Sequence, residues 1–241
     1  MWFLTKWYGI LAFVLFDVVA LIAAIALTYK WFFKRALDIL VSAVLIIALS
    51  PVFLVLHVRA VIYKKRGVIP AILQKETKIG KKGKAICLHT YRTTNEQSEE
   101  TAYGTILKKV GLYKLPYLLD VFLGKLSFIG PLPFSGVDTA FLDEEEQARL
   151  HVRPGLIHPL VESGSAETDF DEIVETECSY AQRVSLFKDV KLFFVWLLKK
   201  IRLEGKYYLG EANEKTYAKA LLDDERITQE DFDAAVDAKG N

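Results

Sequence analysis

The sequence has little of what metal centres and disulfide scaffolds are made from. Two cysteines, Cys87 and Cys178, lie far apart in a chain of 241 residues. That is neither a disulfide framework nor a zinc spacing, so a reducing compartment is the expectation for the soluble part. Four histidines (His57, His89, His151 and His158) are scattered without ligand spacing, and no metal site is expected from them. A net charge of either sign is also lacking: 31 lysines and arginines oppose 30 aspartates and glutamates. No basic cluster is interleaved with aromatics, which leaves no nucleic-acid signature. Long apolar runs are scarce after residue 203 and concentrated in residues 1–63. Bulk composition looks like a soluble globular protein; the placement of the apolar residues does not.

The apolar part begins with Trp7 to Tyr29, whose single charge is Asp17. At about 1.5 Å per residue this crosses a hydrocarbon core of about 30 Å. Trp2, Trp7 and Tyr8 at one end, and Tyr29 and Trp31 at the other, read as interfacial belts. The apolar core is too long, and the residues before it too weakly basic, for a cleaved signal peptide, so a retained anchor is expected. Asp17 is costly in lipid: it faces a protein partner, sits neutral, or is tolerated singly.

A second apolar stretch, Lys34 to Arg66, carries Ser50–Pro51 at its centre. Proline removes one helical hydrogen bond and bends the axis, and Ser50 is placed to answer a freed carbonyl. Both flanks are basic: Lys30, Lys34 and Arg35 before, and Arg59, Lys64, Lys65 and Arg66 after. Positive residues mark the cytoplasmic side, so the stretch is expected to enter from the cytoplasm, bend and return. An ordinary kinked span is the alternative. The N-terminus then lies outside, and everything after Lys30 faces the cytoplasm.

From Gly67 to Thr94 the pattern predicts short strands, with Gly80–Lys81–Lys82–Gly83 turning a hairpin. Lys78, Lys81, Lys82 and Lys84 form a solvated tip or meet anionic headgroups. Residues 95–102 read as a polar loop. Leu115–Leu123 reads as a short helix, with Pro116 in its first turn and Gly124 at its end. Asp120 then falls two turns beyond Tyr113 on one helix face, about 10 Å away. The acidic run Asp143 to Glu146 is expected to be solvated. Leu186 to Lys206 is amphipathic and rich in lysine, as a helix lying in the membrane interface would be; a core helix with a basic outer face is the alternative. In the polar tail, Thr228 precedes acidic residues as a helix N-cap would. "LLDDERITQEDF" resembles the short helical modules that close many bacterial membrane proteins, which suggests an oligomerisation element.

The expected fold class is α+β and membrane-associated. An anchor (1–32) precedes a re-entrant helix (33–66), a small cytoplasmic α/β domain with interfacial helices (67–203) and a helical tail (204–241).

Several motifs in one order, from about Phe33 to Ile201, give the chain a family likeness. It resembles the bacterial sugar transferases that move a sugar-1-phosphate from a nucleotide sugar to a polyprenol phosphate, the monotopic phosphoglycosyl transferases. The matching residues are Lys34–Arg35, Asp38 and Ser50–Pro51; the basic Gly80 to Lys84 turn; Arg92–Thr93; "RPGLIH" from Arg153 to His158; and Tyr180, Ser185 and Asp189. The family's Ser-Leu-Asp-Glu-Leu-Pro-Gln-Leu stands here as Gly111-Leu112-Tyr113-Lys114-Leu115-Pro116-Tyr117-Leu118. Its Asn-Val-Leu appears as Asp120-Val121-Phe122, and its Gly-Pro-Arg-Pro as Gly130-Pro131-Leu132-Pro133. An acidic residue common after the next glycine is Lys125.

The resemblance implies a nucleophilic aspartate at the position of Tyr113 and a magnesium-holding glutamate at that of Lys114. A phenol with a pKa of about 10 is protonated at neutral pH and reaches further from the backbone than a carboxylate. Lys114 offers no metal ligand, and Leu132 cannot clasp a phosphate as arginine does. Phosphoryl transfer needs both an in-line nucleophile and charge neutralisation. A non-catalytic member is therefore expected: an oligomeric membrane partner or regulator in polysaccharide or glycoconjugate assembly, with no cofactor. Its partner would be an active transferase or another glycan-assembly enzyme. The alternatives are a transferase using altered residues with a UDP-sugar, undecaprenyl phosphate and magnesium, and a polyprenol-phosphate binding protein. Lys34, Arg35, Arg92, Lys114 and Arg153 are the candidate phosphate or lipid contacts, although Lys114 also fits a solvated side chain. Asp38, Ser50, Pro51, Pro116, Pro131 and Pro133 are expected to shape the scaffold. The expected location is the bacterial inner membrane.

Overall fold

The computed structural model describes residues 7–162, 169–201 and 216–239. Helix α1, Trp7–Thr28, holds an 18-residue stretch, Trp7–Ala24, long and apolar enough to cross a membrane, and little of it is covered by the rest of the protein. A single π-helical turn, Tyr29–Phe33, leads into α2, Lys34–Ala48. Helix α3, Ser50–Lys65, leaves α2 at a bend of 65°. The bend has a clear local cause. Pro51 has no N–H to give to the carbonyl of Ile47, and the Ser50 hydroxyl donates to that carbonyl instead, at 2.8 Å. The soluble domain fills part of the bend. Leu45, Ile46, Leu49, Val52, Phe53, Leu56 and Ala60 pack with Ile69, Tyr91, Tyr103, Leu107, Leu115 and Leu118 in one cluster.

Strand β1, Leu73–Ile79, pairs antiparallel with β2, Ala85–Tyr91, from Leu73 opposite Tyr91 to Ile79 opposite Ala85. The expected basic turn joins them, with Lys82 at a positive φ of 61°. After α4, Ala102–Val110, the short helix expected at Leu115–Leu123 is present in shortened form. Gly111 adopts φ +75°, which stops α4, and Leu112–Lys114 then forms one 3-10 turn. Helix α5 covers only Tyr117–Phe122, so Pro116 is its N-cap and does not lie in its first turn. Tyr113 and Asp120 are therefore not on one helix. At six residues, α5 is also too short to lend Lys114 the N-terminal field of a longer helix.

Strand β3, Ser127–Ile129, runs parallel to β4, Gly155–Ile157. Here Gly130 and Gly155 meet back to back. A Cβ on Gly155 would fall 2.1 Å from the nitrogen of Gly130, so the close approach excludes any side chain. Buried Asp38 on α2 accepts the Phe128 N–H at 3.1 Å and ties the membrane-side helix to β3. Helix α6, Gly136–Ala140, opens with a capping box between Ser135 and Asp138. Asp143 and Glu146, expected to be solvated, brace a turn by accepting each other's N–H at 2.9 and 2.7 Å.

Two longer helices follow, α7 at Phe170–Gln182 and α8 at Leu186–Ile201. The tail supplies α9, Tyr217–Asp223, and α10, Gln229–Lys239, and Thr228 caps α10 as expected. The tail packs in cis. Tyr217, Ala218 and Leu221 are buried, and Tyr217 and Leu221 join Phe134, Leu142 and Val174 in a shared cluster. Trp2 and residues 202–215, including Arg202 and Lys206 of the expected interfacial helix, lie outside the described residues.

Candidate functional site

The turn Leu112–Lys114 carries the two positions where the family likeness implies nucleophile and metal ligand. Tyr113 is half-buried and packs beside Leu112 against the cluster that contains Leu115 and Leu118. The Lys114 ammonium lies 5.3 Å from the centre of the Tyr113 ring, at cation–π distance. Among the described residues no group of three or more His, Cys, Asp or Glu could hold a metal ion. A phenol and an ammonium do not fit magnesium, which takes oxygen ligands, mostly carboxylates, phosphates and water.

At the other end of α5 two of the predicted basic residues converge. Arg35 donates to the carbonyls of Val121 at 2.7 Å and Phe122 at 2.8 Å. Arg153 donates to the carbonyl of Gly124 at 3.0 Å. The last carbonyls of a helix lack intrahelical donors, and the two guanidinium groups satisfy them. Gly124 stands at φ +89°, and a Cβ there would meet the Arg35 guanidinium at 2.9 Å. A lysine joins this region from the β1–β2 turn. Burial, and then the charges of Arg153, Lys82 and Lys30, hold the Lys81 amine below the ordinary lysine value. The sequence alone reads Lys81 as a solvated loop tip or a contact for anionic headgroups or phosphates.

The remaining predicted cations do other work. Lys34 sits in a buried knot. Its ammonium donates to Asp189 at 2.5 Å and to the Tyr180 hydroxyl at 2.9 Å. Asp189 also accepts from Tyr29 at 2.7 Å and from Tyr180 at 2.6 Å. Burial, reinforced by Asp189, raises the Tyr180 phenol well above its ordinary value, so it acts as a proton donor. The knot fastens the α1–α2 junction to α7 and α8, and Ser185 accepts the Lys188 N–H at the start of α8. Arg92 folds onto its own loop, donating to Thr94 and Asn95 at 3.3 Å each. The structure thus brings Arg35 and Arg153 together at the end of α5, with Lys81 close enough to feel the charge of Arg153, and gives Lys34, Arg92 and Lys114 separate surroundings.

The residues that depart from the family pattern are paired with one another. Asp120, 1% exposed, accepts from Lys125 at 2.8 Å and from the His89 N–H at 3.0 Å. Lys125 also donates to the Cys87 carbonyl at 2.7 Å. Asp120 and Lys125, the two positions where the family likeness implies an asparagine and an acid, form one ion pair. Asp120 is thereby engaged and not poised as a substitute nucleophile.

At Leu132, Glu177 accepts the backbone N–H at 2.6 Å and Arg149 donates to the backbone carbonyl at 2.7 Å. Glu177 is itself paired with Arg149 and His158. The Leu160 N–H donates to His158 Nδ1 at 3.1 Å, so a neutral His158 carries its proton on Nε2, facing Glu177. Burial pushes the Glu177 carboxyl up, but Arg149 and His158 outweigh it and hold the group below the ordinary glutamate value. The Leu132 side chain packs against the cluster completed by the tail. There Tyr217 stacks on Phe134 at 5.6 Å, the Arg149 guanidinium lies 3.3 Å from the Phe134 ring centre, and Asp138 accepts the Ala218 N–H at 3.0 Å. Sequence reasoning missed Asp138, Arg149 and Glu177. Ser135-x-x-Asp138 is a readable capping-box signal; the other two carry none.

Compared with known proteins, residues 29–202 match the family described as "Bacterial sugar transferase". The chain is 28% identical over 189 residues to the exopolysaccharide production protein ExoY of Sinorhizobium fredii, covering 67% of this chain and 82% of that one. It is 28% identical over 184 residues to the uncharacterized sugar transferase EpsL of Bacillus subtilis, covering 71% and 89%. It is 24% identical over 204 residues to the undecaprenyl-phosphate galactose phosphotransferase of Salmonella typhimurium, covering 73% of this chain and 42% of that longer protein.

Proposed function

This chain belongs to the bacterial sugar transferase family, and from that premise we propose that it is a non-catalytic member serving as a membrane partner in polysaccharide or glycoconjugate assembly. The observation that carries the reading is the repacking of the changed positions. Tyr113 and Lys114 stack on each other, Asp120 and Lys125 neutralise each other, and Leu132 packs into the tail cluster. A chain merely losing its activity would leave such replacements unpaired; here they support a folded scaffold.

Seating in the inner membrane is supported by more than α1. Beside the bent α2–α3 pair, apolar side chains stand exposed on α4 (Ile106 and Val110), α5 (Leu119, Phe122 and Leu123) and α8 (Phe187, Val190, Phe194 and Leu198). Exposed apolar residues on several helices, flanked by lysines, suit a domain resting in the interface with α2–α3 dipping into the lipid. The basic flanks of α2–α3 support a cytoplasmic side for the domain. Relatives that act on undecaprenyl phosphate support the pathway assignment. The test is gentle purification of the full chain from its native membrane. A glycan-assembly enzyme should co-purify in fixed ratio; a chain that always isolates alone contradicts the partner role.

The convergence of Arg35, Arg153 and Lys81 favours a second reading, a binder of polyprenol phosphate. Retention of the protein on vesicles that carry polyprenol phosphate should then fall in Lys81→Ala and in Arg153→Ala. Equal retention by both variants removes this reading.

A further inference from the structure

Asp17 is the one charged residue of α1 and lies midway along its 22 residues, about 15 Å from either end. The helix is exposed around it, and among the described residues Asp17 makes no hydrogen bond or ion pair. Its own chain does not cover it, because α2–α3 is turned toward the soluble domain through Leu45, Leu49, Val52 and Leu56. The same helical face is shaped for close contact. Ala20 and Ala24 follow Asp17 by one and two turns, the spacing of small residues at which membrane helices approach.

We propose that this face of α1 docks a transmembrane helix of a different protein, and that this helix sets a lysine or arginine beside Asp17. Ionisable groups inside lipid pair with one another, and an acid at mid-depth is best matched by a base. A second copy fits poorly, since a symmetric pair would set Asp17 against Asp17. The inference deepens the partner role proposed above and rests on α1 spanning the membrane.

The test uses the full chain in its native membrane, with a photo-crosslinking amino acid in place of Leu21, on the Asp17 face. The expected result is a hetero-adduct whose crosslinked peptide is an apolar segment holding Lys or Arg. Asp17→Leu should reduce its yield roughly tenfold, as loss of one interhelical polar contact does. Asp17→Glu should keep most of it, and Asp17→Lys should be rescued by an acid at the partner's basic position. An adduct of two copies, a partner segment without a base, or a yield unchanged in Asp17→Leu overturns the proposal. Alkaline extraction and labelling of both helix ends separate the premises. If α1 is inserted and no hetero-adduct forms, this proposal alone fails; if α1 is not inserted, the membrane reading fails with it.

Discussion

The two ends of α5 have diverged in opposite ways. Its carbonyl end keeps the family's arginines, and Arg35 and Arg153 still satisfy Val121, Phe122 and Gly124. The turn before it carries Tyr113 and Lys114 where the family likeness implies a nucleophile and a metal ligand. The same contrast separates two buried polar clusters. In the knot of Tyr29, Lys34, Tyr180 and Asp189, the three residues shared with the family series are all retained. The cluster under Leu132 joins Arg149, Glu177 and His158 to a tail that lies beyond the family match. Lys34 and Asp189 hold the α1–α2 junction to α7 and α8, whereas Tyr113 and Lys114 lie side by side on one turn. The contrast sets positions that fasten the fold apart from positions where the likeness implies chemistry.

The largest effect should come from breaking the retained knot. Asp189→Ala removes the counter-charge of Lys34 and the carboxylate that accepts from Tyr29 and Tyr180, and should cost about 3–5 kcal/mol, the usual penalty for removing one partner of a buried ion pair. Thermal unfolding in detergent measures it, and a loss no larger than for a surface aspartate would erase the contrast. Next comes the remodelled cluster. Tyr217→Ala removes a buried aromatic and should cost about 3 kcal/mol, with early proteolytic release of the tail. A tail equally protected in this variant would show that α9 does not depend on the Phe134 stack.

A smaller effect follows from Glu177. Its folded carboxyl sits below the ordinary value, so the stability it adds is present above the unfolded pKa of about 4.3 and is lost as pH falls through the lower folded value. Melting curves taken from neutral pH to below about pH 4 should show that loss in the parent and not in Glu177→Gln. The smallest change belongs to the turn itself. Tyr113→Asp with Lys114→Glu should shift stability by less than about 1 kcal/mol, as partly exposed substitutions do. It should not restore transfer while Leu132 remains.

Much of this arrangement could be read from residue letters because its causes are local. The α2–α3 bend follows from Pro51, the hairpin from Gly80 to Gly83, and the Thr228 cap from its acidic neighbours. Tyr113 to Asp120 reads as two helical turns because the letters do not reveal that Leu112–Lys114 forms a separate 3-10 turn before α5. The knot and the Leu132 cluster join residues far apart in sequence, and no periodicity reports such a meeting. Lys34 and Lys114 look alike as cations, and only packing shows that one answers buried Asp189 while the other lies beside a half-exposed ring. The tail reads as polar and separate since Tyr217, Ala218 and Leu221 are few, yet they are the residues it buries.

In the proposed role the turn at Tyr113 and Lys114 performs no sugar-phosphate transfer. The most direct measurement is UMP release by the purified full chain from UDP-sugars and undecaprenyl phosphate, with and without magnesium, beside its own Tyr113→Phe variant. Release at the no-protein background in both, whatever the metal, is the predicted result. Sustained release that requires the lipid phosphate and disappears in Tyr113→Phe would contradict it.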